Sequence, residues 1–157
     1  MANPSQLGDR GDDGVAVYGL HKPEIIAAGA TETLTAKQSG ATVLLDTAAG
    51  SIVTLPTPAA GMEFDFFVST SVTSNSHKIN TSAATEFIGG AIQMVIDTSA
   101  TSEGQVGDPA SHVTITMNGS TTGGLYGTWI KVRAISSTVW IATGIVVGSG
   151  TLATPYA

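Results

Sequence analysis

Hydrophobic and polar positions alternate with a period of two along much of this chain, most clearly from Ser51 to Val68, SIVTLPTPAAGMEFDFFV. Ile52, Thr54 and Pro56 alternate with Val53 and Leu55. Further on, Met62, Phe64, Phe66 and Val68 fall on one side, and Glu63, Asp65 and Ser69 on the other. That period belongs to half-buried β-strands. Pro56 and Pro58 lack the amide hydrogen that a ladder needs and hold their preceding residues extended, so the first strand stops there. Gly61 lets the chain turn back. The segment predicts a strand, a corner and a second strand, and it offers no chemistry.

The same signals recur along the chain. Short extended segments are expected at Thr33 to Ala36, Thr42 to Thr47, Ser51 to Pro56, Met62 to Thr70 and His77 to Thr81. Phe87 to Asp97 carries Gly89-Gly90, which predicts a bulge or a break. Thr98 to Ser111 is poor in apolar residues and reads as a loop, as does Gly119 to Gly124. His112 to Asn118 alternates again. Tyr126 to Ile135 and Thr138 to Val147 predict a hairpin around Ser136-Ser137, with Ile130, Val132 and Ala134 facing away from Trp129, Lys131 and Arg133. No stretch of eleven residues carries the stripe of an amphipathic helix. Strands of five to ten residues with turn signals every eight to twelve predict an all-β fold, an antiparallel β-sandwich or Greek-key barrel. The expected organisation is an extended N-terminal arm over 1–23, the β domain over 24–150 and a tail over 151–157.

Within the arm, Gly8, Gly11, Gly14 and Gly19 are interspersed with Asp9, Asp12 and Asp13, a mixture that favours neither helix nor strand. Val15, Val17, Tyr18 and Leu20 nevertheless make an apolar patch that a solvated tail would not need. The patch is expected to dock on its own domain as a first strand, or on a neighbouring subunit or partner, with a disordered tail as the third reading.

Composition narrows the function classes. The chain has 157 residues, enough for one domain with a real core. Charged residues make up 11 %, against roughly 25 % in an average soluble domain. Its surface is therefore covered by Thr, Ser, Asn and Gly, which suits a permanent assembly or an extracellular setting. A net charge of −6 argues against a nucleic-acid partner, which would need clustered Lys and Arg. There is no cysteine, so disulfides, thiolate metal sites and thiol nucleophiles are excluded together. The N-terminus has no apolar core of a signal peptide, which points to synthesis in a cytoplasm without signal-directed export. Trp140 to Val147, the longest apolar run, is too short to span a bilayer, so no membrane partner is expected.

The run Thr33-Leu34-Thr35-Ala36, Ser39-Gly40, Leu44-Leu45-Asp46, Ala49-Gly50, Thr54-Leu55-Pro56, Pro58-Ala59-Ala60-Gly61 and Phe64-Asp65-Phe66 resembles small tailed-bacteriophage head proteins of the decoration or cement type. These carry a similar T-L-T-A … S-G … L-D … A-G … T-L-P-x-P-A-x-G-x-x-F-x-F run, which also occurs in modules of phage head fibres and tail fibres. The resemblance covers roughly Thr33 to Ile79 and transfers no catalytic residue. It implies a β-rich domain on the outer surface of the virion capsid, bridging subunits of the major capsid protein. Lattice sites in such shells lie at or near symmetry axes, so a homotrimer is the first expectation and a homodimer the second. The alternative is a receptor- or glycan-binding module of a fibre, with Thr98 to Ser111 and Gly119 to Gly124 as recognition tips.

A search for chemistry finds little. His21, His77 and His112 lack the spacing of zinc ligands, and no metal or cofactor is expected. No G-x-S-x-G elbow supports a hydrolase, and Gly89-Gly90 and Gly123-Gly124 lack the G-K-[ST] of a phosphate loop. Asp9 to Gly14 lacks the spacing of an EF-hand loop, and its Arg10-Gly11-Asp12 tripeptide reads as a solvated turn. The sequence therefore predicts a protein that is not an enzyme. Tyr126, Trp129 and Trp140 stand out instead. The two tryptophans fall on one face or on opposite faces depending on hairpin register, as core residues or as anchors of a subunit interface.

Overall fold

In the computed structural model, which describes residues 23–157, two β-sheets pack face to face. The strands are β1 (Ile25–Ala27), β2 (Thr31–Thr33), β3 (Thr42–Leu45), β4 (Ile52–Thr54), β5 (Glu63–Val68), β6 (His77–Asn80), β7 (Phe87–Ile96), β8 (Ser102–Gly107), β9 (Thr114–Met117), β10 (Trp129–Ala134) and β11 (Val139–Gly148). The larger sheet runs β1-β3-β5-β10-β11-β7-β8 and the smaller β2-β4-β6-β9. The expected all-β sandwich is what the chain forms, and the alternation of β5 is as the pattern predicts: Phe64, Phe66 and Val68 are buried.

The pairing is mixed where an antiparallel fold was expected. β1–β3, β3–β5, β2–β4, β4–β6 and β7–β11 pair parallel, while β5–β10, β10–β11, β6–β9 and β7–β8 pair antiparallel. The cause lies in the corners. From β1 to β6 each turn sends the chain across to the opposite sheet, so the next strand of the same sheet arrives two corners later, pointing the same way. The Pro56 to Gly61 corner is one of these crossings: it carries the chain from β4 in one sheet to β5 in the other.

Three further expectations are corrected. The extended segment at Thr33 to Ala36 ends as a 3₁₀ turn over Ala36–Gln38, because the Gln38 side chain accepts the Thr35 N–H at 2.8 Å. Thr98 to Ser111 is not a plain loop, since Ser102–Gly107 pairs with β7 as an edge strand. Residues 151–157 are not a free tail. Leu152 and Tyr156 lie in the core, and the Ala157 carbonyl accepts the N–H groups of Val113 and Thr114 at 2.8 and 3.0 Å.

Gly89-Gly90 neither breaks nor ends its strand, as β7 pairs with β11 without interruption. Gly90 has φ +105, and a Cβ there would strike the Ala142 backbone. The Tyr156 hydroxyl donates to the Gly90 carbonyl at 3.2 Å. The glycine thus answers the close approach of the β11 backbone. Burial pushes the Tyr156 phenol well above its usual pKa.

Between the sheets the core holds Val43, Leu45, Val53, Leu55, Phe64, Phe66, Ile79, Ile88, Ile92, Met94, Ile115, Met117, Ile130, Val132 and Trp140. Filling one face of each sheet leaves the other face outward, as strand geometry requires.

Candidate functional site

The outward face of the larger sheet is unlike an ordinary solvated surface. Its register aligns Leu44 (β3), Phe67 (β5), Trp129 (β10) and Ile145 (β11) as direct neighbours across four adjacent strands. At the usual strand spacing this strip is about 14 Å long. Phe67 and Ile145 are 39 % and 47 % exposed, while Leu44 and Trp129 are half-buried. The rings of Phe67 and Trp129 tilt together with centroids 6.3 Å apart. Trp129 donates its indole N–H to Asp65 Oδ1 at 3.3 Å, so the ring is held in place.

One row along the strands, the neighbours are charged. Asp65 pairs across to Lys131 and Glu63 to Arg133. Lys131 Nζ lies 3.5 Å from Glu63 and 3.7 Å from Asp65. Arg133 donates to the same Glu63 oxygen through Nε at 3.0 Å and through a second nitrogen. The hydrogen bond from Arg133 is the main reason that the Glu63 carboxyl sits below its usual pKa. These charges neutralise one another within the sheet. Beside them lies a shallow groove of about 300 Å³ lined by Lys131, Arg133, Ile135, Ile141 and Thr143. Ile135 is 57 % exposed. Aromatic and aliphatic side chains bordered by paired charges are the mixture that protein interfaces favour.

The predicted partner-binding residues divide as follows. Trp129 lies on this outward face. Trp140 is fully buried against Phe64, ring centroids 6.1 Å apart, so of its two possible roles it takes that of core residue and cannot anchor a partner. Its indole N–H finds no acceptor among the described residues. The hairpin register explains the split, pairing Trp129 with Ile145 outward and Trp140 with Ala134 inward. Tyr126 is 73 % exposed in the segment before β10, anchored by its N–H to Ser71 Oγ at 2.8 Å. Val15, Val17, Tyr18 and Leu20 lie outside the described residues, as do His21 and Arg10-Gly11-Asp12. Sequence reasoning missed Leu44, Phe67 and Ile145. Phe67 could have been found, since it stands among the polar positions of the β5 alternation.

The remaining histidines serve structure. His77 is buried; its Nδ1 accepts the Ser51 N–H at 3.0 Å, and Nε2–H then donates to the Thr70 carbonyl at 3.0 Å. Burial holds its pKa below the usual imidazole value, against the opposing Thr70 bond and the Asp46 charge. His112 accepts the Asp108 N–H at 2.8 Å and stacks on Tyr156. Ser111 beside it donates to Asp108 Oδ2 at 2.8 Å, which closes a turn. Among the described residues no three His, Asp or Glu side chains gather as a cation site.

No protein family, curated protein or solved structure matches this chain.

Proposed function

We propose that this chain is a virion structural protein of the decoration or cement type. It binds the outer surface of a tailed-phage head and stabilises the lattice of the major capsid protein. The observation that carries this is the fixed outward strip of Leu44, Phe67, Trp129 and Ile145. Two of its four members, Leu44 and Phe67, come from the Thr33 to Ile79 run that resembles decoration proteins, so the resemblance and the candidate surface converge on the same strands. The role is mechanical. Each copy adds buried area across a joint between capsid subunits, and a standard interface of about 1,200–2,000 Å² is repeated at every lattice site. A homotrimer at a symmetry axis suits that geometry best, and a homodimer next.

Electron microscopy and heat challenge of heads with and without the chain test the proposal. The expected result is extra density at hundreds of equivalent surface positions and a lower rupture temperature when the chain is missing. Identical heat tolerance, or a copy number of a few to tens as in a fibre, would contradict it.

A further inference from the structure

We infer that the arm segment Val15 to Leu20 seats, within its own chain, in the groove between β10 and β11 on the outward face. The groove has an apolar floor of Ile135 and Ile141, and its cations are already paired with Glu63 and Asp65. It therefore calls for an uncharged apolar occupant and gives no advantage to an acidic one. Val15-Ala16-Val17-Tyr18-Gly19-Leu20 is such a segment.

The geometry of exit agrees. β1 is an edge strand of the larger sheet, with Ile25 in register with Thr42 and, through it, with Asp65. Pro23, two residues earlier, leaves the sheet at the end where Glu63, Arg133 and Ile141 lie. From β1 to β10 is three strand spacings and to β11 four, about 14 and 19 Å. Tyr18 and Val17 stand five and six residues before Pro23, and an extended chain covers about 17–20 Å over that length. The segment that reaches the groove is thus the apolar one. A second copy of the whole domain is a poorer occupant, because five lining residues fall far short of the roughly 800 Å² per partner of a stable interface. This seating is a property of the free subunit and requires no capsid.

The full chain, having no cysteine, tests this cleanly. Val17→Cys, Tyr18→Cys and Gly19→Cys are each combined with Thr143→Cys at the groove, and separately with Ile52→Cys on the outer side of the smaller sheet. Both partner positions are exposed. Under mild oxidation at low protein concentration, at least one groove pair is expected to form an intramolecular disulfide tenfold or more faster than its control. Equal rates for groove and control pairs would overturn the inference, and so would disulfides formed only between copies.

Discussion

Trp129 and Trp140 stand on neighbouring strands of one sheet, yet they belong to different surfaces. Trp140 faces the smaller sheet, fully buried against Phe64. Trp129 faces outward, half-buried, with its ring on Phe67 and its N–H on Asp65. The inward face joins a single contiguous core, so its side chains matter for folding. The outward strip borders solvent, with Phe67 and Ile145 exposed, so its apolar area lies outside that core. If the outward strip meets the shell as proposed, one sheet divides stability from recognition, and substitutions on its two faces should separate in the same way.

The sharpest break is at the core. Trp140→Ala leaves a cavity beside Phe64 and is expected to cost about 3–5 kcal/mol in urea denaturation. Trp129→Ala removes an aromatic pair at the surface and is expected to cost only about 1 kcal/mol. Equal losses at the two positions would erase the distinction between the faces.

A smaller effect comes from His77, which ties the start of β6 to Ser51 and Thr70 from the inner side. Its folded pKa is depressed, so the unfolded chain binds the proton more readily. This contribution to stability is complete above the unfolded value of about 6.5 and declines as pH falls toward the lower folded value. The slope in that window is at most about 1.4 kcal/mol per pH unit. His77→Gln can keep both hydrogen bonds without titrating, and in unfolding curves between pH 7.5 and 5 it should flatten that slope. An unchanged slope in the variant would remove His77 from the account.

Much of this architecture was legible in the sequence, and the exceptions have physical causes. The β5 alternation and the β10–β11 hairpin follow from a period of two that packing against a core enforces. The parallel pairing was hidden, because Pro56, Pro58 and Gly61 mark a change of direction without saying which sheet receives the next strand. β8 was hidden because Ser-Glu-Gly-Gln-Val-Gly buries only Gly107, and backbone pairing with β7 holds it in place. The tail was hidden because Leu152 and Tyr156 are too few to set a period, although both enter the core. The faces of the two tryptophans hung on one residue of register. A turn of only Ser136-Ser137 would set Trp140 opposite Arg133 on the outward face, whereas the observed pairing sets it opposite Ala134. The outward strip was legible only in part, since Leu44 and Ile145 become neighbours of Trp129 through pairings made at long range.

The most direct measurement is the binding of Phe67→Asp and Trp129→Asp chains to undecorated heads, beside the unaltered protein and with folding checked by urea denaturation. The account predicts that each variant stays folded but loses tenfold or more in affinity, as a charge set into an apolar strip must be desolvated on docking. Unchanged occupancy by folded variants would contradict the claim that this face holds the shell.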